Sequence, residues 1–427
     1  MTPDGPASPA YDRAAPAAEP ACAAAAATAA AHAAGAVADA AGAVADVSGF
    51  VGDAGGPVAD VSGPVGDAGG AVVDVVALGE SMVAFLPTRP GRLADVPSFD
   101  RGIGGAESNV ACGLAAAGHS VRWVGRVGAD AFGDHLVAAI AAYGVDTSAV
   151  RRDPDRPTGV YFRTAGDRAT DAHEVAYYRA GSAASAMAPD TVDLAAVRSG
   201  RVLHLSGITA ALSEGCLDLL RLLTARGVDR PLVSFDVNHR PGLWRTAGAG
   251  GPAVLLDLAR GADVVFVGDD EAREAWGLDG PDAIRAALPE PEVLVVKQGG
   301  SGVTVFARTD AGAGADAGAS RAAGGGDVVT FVPALRVDVV AAVGAGDAFA
   351  AGFLSATLRG LPVRDRARHG HLMAAAALTV PGDLAVPPSR GHADRLAALD
   401  DDAWGTLRLG PGWTQAAERA PEEVRTP

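Results

Sequence analysis

Lysine is almost missing from this chain of 427 residues, which contains a single one, Lys297. Lysine and arginine together number 35 against 51 acidic residues, so the formal charge is −16. Proteins that bind nucleic acid need a basic surface to neutralise phosphates. The acidic balance therefore argues against a nucleic-acid partner.

Cysteine is scarce as well. The three cysteines, Cys22, Cys112 and Cys216, stand far apart, without the spacing of a zinc site or a disulfide framework. We therefore expect free thiols and a reducing, cytoplasmic location. The chain also lacks a run of about 18 strongly apolar residues, so we expect no membrane span.

The first 71 residues have little apolar bulk. The run from Ala21 to Ala34 is nearly all alanine, and a unit of fourteen residues rich in glycine and aspartate occurs twice, from Gly42 and from Gly56. Two copies of so short a unit cannot build a core, so we predict that residues 1–71 form a disordered low-complexity tail. A targeting peptide is the other interpretation, but the acidic residues near the start argue against it.

Residues 72–397 alternate between short apolar runs and amphipathic stretches. SNVACGLAAAG and DHLVAAIAAYG are typical of helices, and buried strands are indicated by VVDVVALG, VRWVGRVG, VLHLSGI, LVSFDVN, DVVFVG and VLVVKQG. Strands that alternate with helices predict βαβ units. We expect one three-layer α/β domain with a mostly parallel central sheet.

Other segments depart from this pattern. MVAFLP, TGVYFRTA and HEVAYYR mix apolar and polar residues, which predicts half-exposed strands in a small β-flap, or lid, beside the α/β body. Residues 309–327 form a Gly/Ala-rich insertion between two strand-like runs, and we interpret it as a flexible hairpin loop. Residues 398–427 are polar, and we expect a peripheral tail.

The segment VGAGDAFAAGF places three small residues, Gly344, Ala345 and Gly346, directly before an Ala-rich helix. Backbone N–H groups at a helix N-terminus stabilise an anion. Asp347 follows in the first turn, where a carboxylate could simply cap the helix. It could also accept a hydroxyl proton beside a bound phosphate.

The segment GGAESNVA offers two glycines, Gly104 and Gly105, for close backbone approach, and Asn109 as an amide ligand. A tight turn with a helix start would have the same residues. Together with VGAGDAFAAGF, this segment resembles the two signatures of the ribokinase-like PfkB sugar kinase family, in the same order. The resemblance runs from about Val72 to Arg390. Within the family, YYRAGSAASAMAP, LHLSGITAAL and FDVNHRPGLW resemble kinases of 2-keto-3-deoxygluconate.

The resemblance implies a role for each motif residue. Asp347 would be the catalytic base, and the N–H groups of Gly344, Ala345 and Gly346 would bind the transferring phosphoryl group. The nucleotide side would use Lys297, Gly299 and Gly302 with ATP, and Glu271 would help to place Mg²⁺. The residues that would hold the sugar acid are Gly104, Gly105, Asn109, Tyr161, Arg163 and Arg240.

The two arginines in that set agree with an acidic sugar. Guanidinium groups pair with carboxylates in a bidentate way, and Arg163 and Arg240 both stand near the ends of predicted strands. The alternative for each arginine taken singly is a solvated surface charge. The ends of parallel strands are the expected ligand site in this architecture.

The chain departs from the family pattern before the GAGD motif. Ala341 and Ala342 replace an Asp and a Thr or Pro, which removes a carboxylate often tied to a monovalent cation and to support of the loop, and this argues against potassium activation. Gly268 replaces the Asn of an N-x-x-E motif whose Glu, Glu271, is kept. The 309–327 insertion lies near the predicted nucleotide side.

The function that the resemblance implies is ATP-dependent phosphorylation of 2-keto-3-deoxygluconate at its 6-hydroxyl. The alternatives are another sugar kinase, such as a fructokinase or a 5-dehydro-2-deoxygluconokinase, and a non-catalytic sensor of a sugar acid or nucleotide. We expect small-molecule partners alone, with neither nucleic acid nor membrane, and a homodimer that pairs through the flap.

Overall fold

The protein is described by a computed structural model, which covers residues 72–164, 174–228, 230–244, 251–308, 320–321 and 326–418. The predicted tail of residues 1–71 lies outside the described residues. So do residues 309–319 and 322–325 of the predicted insertion.

The described residues form short strands, the first of which is a buried apolar run. In chain order they are β1 (Val73–Leu78), β2 (Met82–Pro87), β3 (Phe99–Gly104), β4 (Val121–Val124), β5 (Arg126–Gly128), β6 (Arg151–Asp153), β7 (Val160–Arg163), β8 (Val175–Tyr178), β9 (Gly200–Ser206), β10 (Leu232–Asp236), β11 (Val264–Gly268), β12 (Val293–Lys297), β13 (Gly302–Arg308), β14 (Ser320–Arg321), β15 (Asp327–Pro333), β16 (Arg336–Val337) and β17 (Arg408–Leu409).

The helices connect these strands. They are α1 (Ala106–Ala116), α2 (Ala131–Ala141), α3 (Leu194–Arg198), α4 (Gly207–Ala210), α5 (Glu214–Thr224), α6 (Pro241–Trp244), α7 (Ala253–Gly261), α8 (Asp269–Trp276), α9 (Pro281–Ala287), α10 (Ala345–Leu358), α11 (Val363–Leu378), α12 (Arg390–Ala397) and α13 (Asp401–Thr406). Within the described part of the chain, no helix is both long enough and apolar enough to cross a membrane.

The central sheet has the strand order β14-β15-β13-β12-β11-β10-β9-β1-β4. The strands from β12 to β4 in that order pair in parallel, whereas β13, β14 and β15 pair antiparallel. Strands that are buried on both faces have nearly continuous apolar sequences, and the predicted strands have this pattern. The mostly parallel sheet is confirmed.

Successive side chains of a strand point to opposite faces of the sheet, so β1 contributes side chains to two cores. Val75 and Ala77 pack into one core with α1, α10 and α11, and Val76 and Leu78 pack into the other with α5 and α7. The predicted three-layer arrangement is therefore present. The carboxyl ends of the parallel strands and the start of α10 are left at one edge of the sheet.

The predicted lid is also present as a second sheet, with the order β3-β2-β7-β8. Three of its strands match the predicted segments. The fourth, β3, has the sequence FDRGIG, in which two glycines and two charges hide the strand pattern. The predicted strand VRWVGRVG is divided, because β4 joins the central sheet while β5 pairs with β6.

The carboxyl-terminal segment differs from the expected peripheral tail. Trp404 is fully buried and its indole N–H donates to the carbonyl of Pro333 at 3.0 Å. Leu409 and Trp413 are buried in the same core, and β17 pairs with β16. The segment is polar on average, but a few large apolar side chains are enough to anchor it.

Candidate active site

The start of α10 is shaped by Gly344. This residue has a φ of +77°, and a Cβ there would lie 2.3 Å from the carbonyl oxygen of Asp383. Both the backbone conformation and the close approach require glycine. The N–H groups of a first helical turn have no acceptor within the helix, so those that follow Gly344 are available to an anion.

The two sequence motifs meet at Asp347. The side-chain amide of Asn109, which is buried on α1, donates to Oδ2 of Asp347 at 2.8 Å. Desolvation raises the pKa of Asp347 to about 7, and the negative charge of Asp236 adds to the rise, whereas Asn109, Arg240 and Lys297 act to lower it. A carboxyl group with this pKa can accept a proton near neutral pH.

Lys297, at the end of β12, faces the start of α10. Its ammonium group donates to both carboxylate oxygens of Asp236, at 3.0 and 3.2 Å, and a Cβ on Gly346 would lie 3.7 Å from it. Burial acts to lower the pKa of Lys297, but Asp236, Glu271 and Asp347 outweigh burial, so the pKa is raised. A charged ammonium group therefore stands beside the helix N-terminus.

Arg240 lies after the end of β10 and its side chain is 51% exposed. Its Nη1 is 3.4 Å from Oε1 of Glu271 and donates to the carbonyl of His239 at 3.0 Å. Glu271 in turn accepts from the backbone N–H of Gly268 at 3.0 Å. With Gly268 in place of Asn, Glu271 still caps the start of α8.

The lid strand β7 sends two side chains toward the body. Nη2 of Arg163 donates to Oδ1 of Asp383 at 2.5 Å and to the carbonyl of Pro381 at 3.3 Å. The hydroxyl of Tyr161 donates to Oδ2 of Asp383 at 2.8 Å. Arg163 is only 2% exposed, so the interpretation of a solvated surface charge is wrong for this residue.

Gly104 and Gly105 join β3 to α1 beneath the lid. A Cβ on Gly104 would lie 2.2 Å from the hydroxyl of Tyr161, and one on Gly105 would lie 2.3 Å from the carbonyl oxygen of Glu80. Gly105 thus lets the backbone after β3 approach Glu80, and Gly104 lets β3 contact Tyr161 closely within the lid. This contact brings Tyr161 to the same site as Asn109.

The predicted nucleotide loop lies between β12 and β13. Gly299 has a φ of +55° in a short 3₁₀ turn, and a Cβ there would have no atom within 4 Å. At Gly302, by contrast, close packing requires glycine, because a Cβ there would lie 2.3 Å from the carbonyl oxygen of Val332. The open surface is therefore at Gly299.

The segment before Gly344 is supported by backbone hydrogen bonds. The N–H groups of Val340 and Ala341 both donate to the carbonyl of Leu378, at 2.7 and 3.3 Å. Ala341 is buried and Ala342 is exposed. Backbone contacts to α11 hold this loop, and its two alanines offer no carboxylate to a cation.

No group of three His, Cys, Asp or Glu side chains within the described ranges is arranged to hold a metal ion. Mg²⁺ in phosphoryl-transfer sites uses one or two carboxylates together with the phosphates of the substrate. Glu271, at the same sheet edge as Lys297, can supply one carboxylate. The residues present therefore fit a magnesium ion that arrives with the nucleotide.

Sequence reasoning missed Asp236, Asp383 and Glu107 as parts of this site. The sequence did contain an indication of Asp236, because this carboxylate stands at the end of the predicted strand in LVSFDVN, where a ligand site is expected. Glu107 is fully buried on α1, where it accepts from the hydroxyls of Ser206 and Thr209 at 2.8 and 2.7 Å. Desolvation raises the pKa of Glu107 to about 7, with Asp347 adding to the rise.

Comparisons with known proteins identify the family of this chain. The sequence model of the pfkB family carbohydrate kinases matches residues 73–390. The 2-dehydro-3-deoxygluconokinase of Bacillus subtilis is 34% identical over 320 residues, which are 74% of this chain and 93% of that protein. The enzyme of the same name from Thermoproteus tenax is 32% identical over 324 residues, 75% of this chain and 93% of that protein.

Two solved structures are also similar to this chain. A PfkB protein from Polaromonas sp. JS666 has a TM-score of 0.63 and 33% identity, over 76% of this chain and 99% of that one. A putative ribokinase from E. coli in complex with ATP and Mg²⁺ has a TM-score of 0.63 at 20% identity, over 75% and 98%, and shares the fold. The chain belongs to the PfkB family of carbohydrate kinases and is most simply described as 2-dehydro-3-deoxygluconokinase-like.

Proposed function

We propose that this kinase transfers the γ-phosphoryl group of ATP to the 6-hydroxyl of 2-keto-3-deoxygluconate. The observation that carries the proposal is the meeting of Asn109, Asp347 and Lys297 at the start of α10. A proton acceptor, a cation and free N–H groups of a helix N-terminus stand together there. Phosphoryl transfer needs such groups for positioning and charge stabilisation.

Each group has one task in the proposed reaction. Asp347 accepts the proton of the 6-hydroxyl while that oxygen bonds to the γ-phosphorus and the bond from phosphorus to the ADP oxygen breaks. The N–H groups of Gly344, Ala345 and Gly346, with Lys297, stabilise the charge on the transferring group. Glu271 would hold Mg²⁺, which when bound neutralises phosphate charge.

For the sugar acid, we propose that Arg163 and Arg240 bind the carboxylate, with Asn109, Tyr161 and the backbone at Gly104 and Gly105 around the sugar. The likeness to the two 2-dehydro-3-deoxygluconokinases supports this substrate. A buried arginine on a lid is suited to a carboxylate, because its planar group can pair in a bidentate way.

A second candidate is a kinase of a neutral sugar such as fructose. It is favoured by the carboxylates that both arginines already contact, since Arg163 pairs with Asp383 and Arg240 with Glu271. An arginine that keeps such a partner has little charge left for a substrate carboxylate. Turnover of the two sugars distinguishes the candidates.

The test measures ADP release with ATP and Mg²⁺, using 2-keto-3-deoxygluconate, fructose, ribose or no sugar. Arg240→Met should raise KM for the keto acid about 10- to 100-fold, as expected for the loss of a charged hydrogen bond, and leave any turnover of fructose unchanged. Arg221→Met is the control, because this arginine is similarly exposed, at 55%, and pairs with Asp218 on α5. Turnover of fructose alone would contradict the proposal, and ligand binding without ADP release would favour the sensor.

The pKa of Asp347 predicts a pH dependence. Only the deprotonated carboxylate can accept the hydroxyl proton, and the pKa is raised to about 7. We therefore expect kcat to fall as the pH drops through about 7, with a limiting slope near tenfold per pH unit. A profile of kcat that stays flat from about pH 5.5 to 8 would contradict the assignment of the base.

Three further expectations remain predictions. Aromatic side chains on the lid, Phe85, Phe99, Phe162 and Tyr178, contact one another, and Tyr178 is 66% exposed, so we propose that two copies pair through the lid. The mass of the protein in solution tests this. A cytoplasmic location and turnover without potassium ions complete the proposal.

A further inference from the structure

A second buried ion pair, separate from the one between Arg163 and Asp383, lies at the base of the lid. Glu80 lies between β1 and β2, its side chain is 1% exposed, and it pairs with Arg179, whose side chain is 9% exposed. The hydroxyl of Ser182 donates to Oε1 of Glu80 at 2.6 Å. The reaction described above does not use these residues.

The ion pair stands where the chain crosses between body and lid. Glu80 comes two residues before the first lid strand, β2, and Arg179 comes directly after the last one, β8. The start of β7 is close as well, because a Cβ on Gly159 would lie 3.0 Å from Oε1 of Glu80. One carboxylate therefore lies beside the connections of three of the four lid strands.

Aromatic rings continue from this ion pair to the sugar side of the lid. The guanidinium carbon of Arg179 lies 5.7 Å from the ring centre of Tyr177. The ring of Tyr177 is 5.6 Å from that of Tyr161, whose hydroxyl contacts Asp383. A shift of Arg179 would thus be passed through the ring of Tyr177 to Tyr161.

We infer that Glu80 and Arg179 are positioning residues, whose buried ion pair fixes the base of the lid so that Tyr161 and Arg163 reach the sugar. The inference rests on the proposed function in one respect, namely that the lid binds the sugar. Removing one partner leaves an unpaired buried charge, which destabilises a fold, whereas neutralising both partners does not. Stability and substrate binding can therefore be separated.

The experiment compares Glu80→Gln, Arg179→Met and the double variant by melting temperature, kcat and KM. Each single variant should lower the melting temperature and raise KM for the sugar by about 10- to 100-fold, as for a small misplacement of a binding group. The double variant should regain most of the melting temperature but keep the raised KM, with kcat nearly unchanged. Arg179→Lys, which keeps the charge, serves if Arg179→Met fails to fold, and should show an intermediate KM.

The control pair is Arg230 and Asp263, which contact at 2.7 Å with side chains 16% exposed, at the start of β10 and β11. Arg230→Met and Asp263→Asn should lower the melting temperature and leave KM unchanged. Recovery of both melting temperature and KM in the Glu80→Gln/Arg179→Met protein would overturn the inference, because the pair would then be purely structural.

A second readout separates this inference from the choice of substrate. Hydrogen exchange of β7 and β8, measured without sugar, should be faster in the double variant than in the wild type and unchanged in the control variants. That result does not depend on which sugar is phosphorylated. Unchanged exchange in the double variant would overturn the inference even if 2-keto-3-deoxygluconate proves to be the substrate.

Discussion

Asp347→Asn is expected to lower kcat by about 10²- to 10⁴-fold, the usual contribution of a general base. The amide has nearly the shape of the carboxylate and can still contact Asn109, but it cannot accept the proton of the sugar hydroxyl. KM for ATP and for the sugar should change little, since the N–H groups and Lys297 remain. The acid limb of the pH profile should disappear in the residual activity.

The matched control is Asp365→Asn. Asp365, like Asp347, is in the first turn of its helix, but this helix is α11, which follows α10 and does not contain the GAGD segment. If the effect of Asp347 came from the helix dipole, both variants would lose a similar, small amount of stability and keep their activity. A kcat for Asp347→Asn within a few-fold of the wild type would remove Asp347 from the mechanism.

Lys297→Met should have the second-largest effect. The ammonium group lies beside the position of Gly346, at the predicted site of the phosphoryl group. Losing one such electrostatic contact lowers kcat by about 10²- to 10³-fold in comparable sites. Steady-state ADP release at saturating ATP and sugar measures this loss.

The same substitution leaves Asp236 without its partner, so stability has to be measured as well. Lys297→Met/Asp236→Asn removes both charges and should regain the melting temperature without regaining kcat. Lys297→Arg keeps the charge and should retain more activity than Lys297→Met. Full activity in Lys297→Met would show that helix N–H groups suffice, and would contradict the proposed role of this lysine.

The sequence predicted those parts of the fold that depend on local pattern. Buried runs such as VVAL in β1 are apolar on both faces because both faces of the sheet are covered, so their strand state was readable. The GAGD segment was readable for a similar reason, because small residues before a helix are needed for close backbone approach. At Gly344, both the positive φ and the close approach of the carbonyl oxygen of Asp383 exclude a side chain.

Pairings between distant residues were not readable. Arg163 and Asp383 are 220 positions apart, and nothing near either residue indicates that they share a buried contact. The segment after Ala397 was misjudged for a different reason. Its average polarity is high, but stability depends on the few side chains that are buried, here Trp404 and Trp413.

The raised pKa values of Glu107 and Asp347 set the stability of the fold against the activity of the site. Burial raises the pKa of each carboxyl group to about 7, above the ordinary value of 4.5 for Glu and 3.8 for Asp, so the folded state holds protons that the unfolded chain releases. The stability that they contribute is complete below the unfolded pKa values and is lost as the pH rises through about 7. Catalysis requires the ionised form of Asp347, so the conditions in which the enzyme is fastest are those in which these two groups stabilise the fold least.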